Sequence, residues 1–190
     1  MLKFLICYIN RGYYLFKKNV ETIALFGGSF DPPHFGHKSV VEEALKVLKI
    51  DKLIVVPTFL NPFKTVSHFT TEERLKLTKE LFKSFSEVLV DDYEIEEQKS
   101  TPTVQTLRYF QKKYSVAYLI IGADNLEHIE KWHEFEYLNA QIIWVVARRK
   151  GYEIKNNKLR DVRILEVEVD LSSTQIRNKL TKESSIDEQQ

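Results

Sequence analysis

The sequence predicts an α/β domain of the doubly wound, Rossmann-like kind, with a mostly parallel sheet and helices on both faces. Six short β-rich runs recur along the chain: TIALF (22–26), KLIVVP (52–57), EVLVDD (87–92), VAYLII (116–121), QIIWVVA (141–147) and VRILEV (162–167). Between them, KSVVEEALKVL (38–48), EERLKLTKELFKSF (72–85) and VQTLRYFQKK (104–113) set apolar residues three and four apart, as amphipathic helices do. Near-continuous apolar strands that take turns with helices belong in a parallel sheet buried on both faces, with ligands outside the strand C-termini.

The 190 residues suffice for one sizeable core and are few for two. Lys plus Arg total 28 against 27 Asp plus Glu, so no global field points to long nucleic acid or a membrane surface. The single cysteine, Cys7, rules out an intrachain disulfide and a cysteine-based zinc cluster, and it fits a reducing cytoplasm. Self-assembly into a homo-oligomer is left open by the composition.

Residues 1–20 stand apart as an N-terminal arm. Lys3, Arg11, Lys17 and Lys18 interrupt its apolar and aromatic residues, so it lacks the run of ~20 apolar residues a spanning helix needs. Met1 is the only methionine and the regular pattern starts near Glu21, so the arm is expected to be an added segment, either a non-native start or disordered. The domain proper is expected over residues 21–181, followed by a polar tail at 182–190.

The densest chemistry lies in LFGGSFDPPHFGHK (25–38), where the first strand of the domain runs into Gly27 and Gly28 and a helix starts near residues 36–38. Glycines there let backbone approach a ligand closely. A helix N-terminus offers free N–H groups and about half a positive charge, which suits phosphate. His34 and His37, three apart, can both face that phosphate, donate hydrogen bonds and gain charge beside a polyanion. The same residues also fit a purely structural turn in which the prolines fix the backbone and the histidines cap the helix. Walker A and G-x-G-x-x-G patterns are both absent.

Residues 27–37, GGSFDPPHFGH, resemble the GGSFDPxHxGH signature of the nucleotidylyltransferase superfamily. Near the other end, Ser172-Ser173-Thr174-Gln175-Ile176-Arg177 is similar to the SSTxIR element of that superfamily, which closes over a triphosphate. Its residues also make sense as an N-cap cluster, with Ser172, Ser173 or Thr174 satisfying the first N–H groups of a helix. Arg177 then sits on the first turn, where a cation opposes the helix dipole unless an anion compensates it.

The middle of the chain points within the superfamily to the bacterial nicotinate-nucleotide adenylyltransferases. Gly122-Ala123-Asp124 followed by Trp132 resembles their GAD...W segment. Residues 101–107, TPTVQTL, resemble SYTxxTL, and residues 147–152, ARRKGY, resemble RRPGY. The resemblance covers residues 21–181. It implies ATP contacts from Gly27, Gly28, Ser29, Phe30, His34, His37, Gly122, Asp124, Arg148, Ser172, Ser173, Thr174 and Arg177, with His34, His37 and Arg177 catalytic. Trp132 is expected to stack on a pyridine ring, N–H groups at the helix start near Thr103 to hold a carboxylate, and Asp124 to accept from ribose hydroxyls or cap a helix.

Departures fall on the acceptor side. PTFLNPFK (57–64) stands where the family reads PNxxPPHK, retaining Lys64 as a point charge for substrate phosphate; His133 replaces a tyrosine after the tryptophan, and Pro102 replaces one before Thr103. His68 and His128 lie outside every motif and are expected at the surface.

The resemblance implies in-line attack of nicotinate mononucleotide on the α-phosphorus of ATP, with Mg²⁺ bridging ATP oxygens and no dedicated protein metal site. A nicotinamide mononucleotide or phosphopantetheine acceptor, and a nucleotide sensor without chemistry, are the alternatives.

Overall fold

The computed structural model describes residues 4–9, 12–17, 20–60, 67–149 and 158–167. Its centre is a six-stranded sheet formed by β3 (Thr22–Gly28), β4 (Lys52–Pro57), β5 (Val88–Val90), β6 (Ser115–Gly122), β7 (Ile143–Arg149) and β8 (Val162–Val167), in the order β5-β4-β3-β6-β7-β8. Every neighbouring pair is parallel. The six expected strands are therefore the six observed, and the sheet is wholly parallel.

Residues alternate along each strand between two cores, as the two-residue repeat of a strand demands. Ile23, Leu25, Ile54, Val56, Leu119, Ile121, Trp144 and Val146 face one side, where they meet Val104, Leu107 and Phe110 of α4 (Thr103–Gln111) and Phe135 and Leu138 of α5 (Phe135–Gln141). Ala24, Phe26, Leu53, Val55, Tyr118, Ile120 and Val145 face the other, against Val40, Val41 and Ala44 of α1 (Phe35–Val47) and Phe82 of α2 (Thr71–Phe82). Both faces are covered, as strands apolar on both sides require.

The sheet grows outward from β3 through β4 to β5, then returns to lay β6 on the other side of β3. The connections leaving β3 and β6 thus diverge, opening a crevice between the ends of these strands. Gly27 and Gly28 close β3 on one side of it and Gly122 closes β6 on the other.

Several elements differ from the expectation. Phe4–Ile9 (β1) and Gly12–Lys17 (β2) pair antiparallel, with Ile9 opposite Gly12, in a two-stranded sheet separate from the central one. Much of the arm is therefore strand, in line with its aromatic and β-branched content. The short helix α3 (Tyr93–Glu96), the 3₁₀ helix Ala123–Lys131 and α5 also lie outside the expected helices, being too short or irregular for a 3.6-residue period. Among the described residues no helix is long and apolar enough to cross a membrane.

Candidate active site

A pocket of about 770 Å³ occupies the crevice. One wall is the β3–α1 turn with Gly27, Gly28, Ser29, Phe30, His34 and His37; the opposite wall carries Gly122, Asp124 and Arg148, and the far end carries Thr103, Trp132 and His133. The structure thus brings these twelve expected residues to one cavity. Lys64, Ser172, Ser173, Thr174 and Arg177 lie outside the described residues.

The two histidines both build the start of α1 and face the pocket. His34 is the N-cap, and its Nδ1 accepts the Gly36 N–H at 3.0 Å. His37 Nδ1 accepts the His34 N–H at 3.1 Å, completing a reciprocal capping box made from two imidazoles. Each Nδ1 is an acceptor in these bonds, so in the neutral rings the proton sits on Nε2. The capping and phosphate-facing readings are thereby compatible.

The helix start is also less open than the sequence suggested. The Gly36 N–H is taken by His34, and the N–H groups of His37 and Lys38 turn back to the His34 carbonyl at 2.9 and 3.3 Å. Donors toward an anion here come from the imidazoles as well as the backbone. Nor is His37 charged at rest: burial, and then the neighbouring His34, hold it down at about 3. Its ring lies 3.9 Å from that of His34 and 4.7 Å from that of Phe30, centroid to centroid.

Phe30 holds the turn from beneath. It adopts φ 46° although it is not glycine, while its ring is buried edge-on against Phe26 at 5.4 Å. A side chain at Gly28 would come within 3.2 Å of the Phe30 ring, so that ring would have to yield by a few tenths of an ångström to admit one. At Gly27 a Cβ would meet nothing within 4 Å, which leaves open space over the strand end.

A buried arginine that no motif signalled fastens this turn to its neighbour. Arg74, on α2 and 1 % exposed, donates to the carbonyls of Ser29 at 2.6 Å, Thr58 at 2.8 Å and Phe59 at 2.7 Å. Asp31, also buried, accepts the N–H groups of His68 at 3.0 Å and Phe69 at 2.9 Å. His68 is exposed, as expected, yet its backbone is a structural tie; His128 is exposed too. Burial lowers the Arg74 pKa and the nearby Asp31 carboxylate opposes that.

On the β6 side, Gly122 caps the 3₁₀ helix and Asp124 lies in its first turn, so Asp124 is not itself the N-cap. A Cβ at Gly122 would collide with the Asp124 carboxylate. Arg148 donates from Nε to Glu166 on β8 at 2.8 Å, setting the guanidinium on that wall.

At the far end, Trp132 is half-buried with its ring 6.0 Å from the buried Trp144, nearly edge to face. That packing fixes its plane while it still lines the pocket. His133 is exposed next to Glu134, which Arg108 grips with both guanidinium nitrogens at 2.8 and 2.6 Å. Thr103 begins α4 after Pro102, whose side chain forms no cap. Beneath it, Glu94 on α3 is 5 % exposed and bonds Thr106 of α4 at 2.6 Å, a pair that the motif reading missed. Burial pushes the Glu94 carboxyl up to about 7, against the Thr106 hydrogen bond.

Comparison with known proteins identifies the family of the chain. The cytidylyltransferase-like family profile matches residues 25–179. A protein of Sulfurovum sp. described as a "probable nicotinate-nucleotide adenylyltransferase" is 52 % identical over 157 residues, 83 % of this chain and 84 % of that protein. One of the same description from Aliarcobacter butzleri is 42 % identical over 160 residues, covering 83 % and 87 %. In fold, the chain is similar to the Plasmodium falciparum nicotinic acid mononucleotide adenylyltransferase complexed with NaAD, with a TM-score of 0.70 at 21 % identity over 83 % of each chain. The chain belongs to the cytidylyltransferase-like family and, within it, to the nicotinate-nucleotide adenylyltransferases.

Proposed function

We propose that the chain transfers the adenylyl group of ATP to nicotinate mononucleotide, forming nicotinate adenine dinucleotide and pyrophosphate in NAD biosynthesis. The observation that carries this reading is a single cavity joining the His34–His37 turn to Trp132 and the start of α4. A donor nucleotide and a ring-bearing acceptor can share it.

In the reaction a phosphate oxygen of the mononucleotide bonds to the α-phosphorus of ATP. The bond from that phosphorus to the bridging oxygen breaks, and pyrophosphate leaves with the electron pair. No protein nucleophile is required, so the protein's task is to align the two phosphates and offset the charge that builds on them. His34 and His37, fixed as Nε2–H tautomers by their backbone bonds, are hydrogen-bond donors for this charge without reorganising. Mg²⁺ accompanying ATP would offset part of the phosphate charge beside these donors. Lys64 and Arg177 are assigned here as further phosphate contacts, on the strength of their motifs alone.

At the acceptor end, the Trp132 face receives the pyridine ring and the N–H groups at the start of α4 receive its carboxylate. A cytoplasmic site of action, where ATP is available, belongs to the same proposal. Pyrophosphate release measured with ATP plus nicotinate mononucleotide, and separately with nicotinamide mononucleotide, tests it. Preferred turnover of the nicotinate acceptor is expected; preference for the amide would reverse the acceptor assignment, and binding without turnover would make the chain a sensor.

A further inference from the structure

Glu94 is a carboxyl on the pocket wall that the reaction as described does not use. It is 5 % exposed, and its one hydrogen bond runs to the Thr106 hydroxyl at 2.6 Å. Thr106 lies one turn after Thr103 on the same face of α4, and Glu94, Thr103 and Thr106 all line the pocket. A carboxylate held by the N–H groups that open α4 therefore lies about one helical turn from the Glu94–Thr106 pair.

No cation among the described residues is assigned to Glu94. On its own segment, Asp91 accepts the Tyr93 N–H, Asp92 pairs with Lys79 and Glu97 with Lys99, while Glu96 carries a further negative charge. On α4, Arg108 is engaged by Glu134; on the packed strand β4, Lys52 pairs with Glu21. Across the pocket stand Lys131, His133 and Asp124, with Arg148, His34 and His37 further along its wall. Burial with a single neutral partner favours the uncharged carboxyl, in agreement with its raised value of about 7.

We propose that Glu94 is a specificity-determining residue of the acceptor site: neutral, it admits a carboxylate-bearing ring at the start of α4, and ionised, it repels one. This rests on the nicotinate reading of the acceptor given above. An amide-bearing ring has no charge to repel, so the preference between the two acceptors follows the ionisation of Glu94. Two carboxylates this close in a partly buried site do not ionise together without cost.

The test is kcat/KM for nicotinate mononucleotide and for nicotinamide mononucleotide with saturating MgATP, from about pH 6 to about pH 8.5, a window that brackets the Glu94 value. Titrations that act equally on both acceptors, that of their phosphates among them, cancel in the ratio of the two, and the Glu94→Gln variant separates Glu94 from any other group that acts on the carboxylate alone. The nicotinate-to-nicotinamide ratio is expected to fall roughly tenfold across that window in the native protein and to stay level in Glu94→Gln. Thr106→Val removes a donor to the ionised carboxyl and moves the midpoint of the fall to higher pH, a displacement that a purely structural Glu94 would not produce. A level ratio in the native protein, or the same fall in Glu94→Gln, overturns the inference while leaving the reaction standing. Pyrophosphate release with neither acceptor overturns the reaction and this inference together.

Discussion

The two halves of the pocket are built on opposite principles. The donor half is a turn braced by its own hydrogen bonds: Arg74 holds three carbonyls, Asp31 holds two N–H groups, His37 holds the His34 N–H and His34 holds the Gly36 N–H. The acceptor half rests on a half-buried tryptophan, an uncapped helix start and a buried carboxyl with one neutral partner. Phosphates are alike in every nucleotide and can be met by a fixed frame; the acceptor ring has to be distinguished, and there the protein keeps a group whose charge can change. Rigidity and adjustability are thus divided between the two substrates.

Replacing Arg74 with Met strikes the frame hardest. The side chain keeps its bulk but strands the carbonyls of Ser29, Thr58 and Phe59, and urea unfolding is expected to show a loss of about 3 kcal/mol. A Lys at 74 should recover part of it. Native stability in Arg74→Met would dissolve the contrast between the halves.

Next in size is His37→Ala, expected to lower kcat about 10²- to 10³-fold, as removal of one preorganised donor does elsewhere. Single-turnover kinetics on protein shown by circular dichroism to be folded would check it, and an unchanged rate would remove His37 from the donor frame.

Glu94→Gln sharpens the other side of the comparison through stability. Below the ordinary value of 4.5 the carboxyl is neutral folded or unfolded, so the variant and native protein should match. As pH rises through 4.5 toward about 7, only the unfolded chain readily ionises, and the native protein loses stability that the glutamine variant keeps. The advantage of Glu94→Gln should reach at most about 3 kcal/mol by pH 8 in denaturant titrations. An equal gain at pH 4 would trace it to something other than ionisation.

The smallest effect is expected at Gly122. In Gly122→Ala the new methyl displaces the Asp124 carboxylate, and KM for ATP should rise by about tenfold or less, with KM for the acceptor little changed. A change confined to the acceptor would move Asp124 to the other half.

Legibility in the sequence followed the same division. The six strands showed because each is a compact apolar run, and α1, α2 and α4 because they are long enough to display their period. The glycines, prolines and histidines of residues 27–37 marked the donor turn, since only unusual backbone needs them together. Arg74 gave no sign: in EERLKLTKE it is one charge among several, and burial under a neighbouring loop is a tertiary event. Glu94 hid in the same way, within the acidic run DDYEIEE that reads as a solvated surface. The α5 helix, only seven residues long, is set by the packing of Phe135 and Leu138 rather than by local periodicity.

The Arg74 strut has a mechanical corollary. One guanidinium grips the rim at Ser29 and the rim at Thr58 and Phe59 from a single point on α2, and Asp31 repeats the tie at His68 and Phe69, just ahead of that helix. The two rims are therefore joined into one plate with α2 as its spine. Amide hydrogens of His68 and Phe69 should exchange with solvent at one shared rate, set by the opening of the plate rather than by the fraying of either loop.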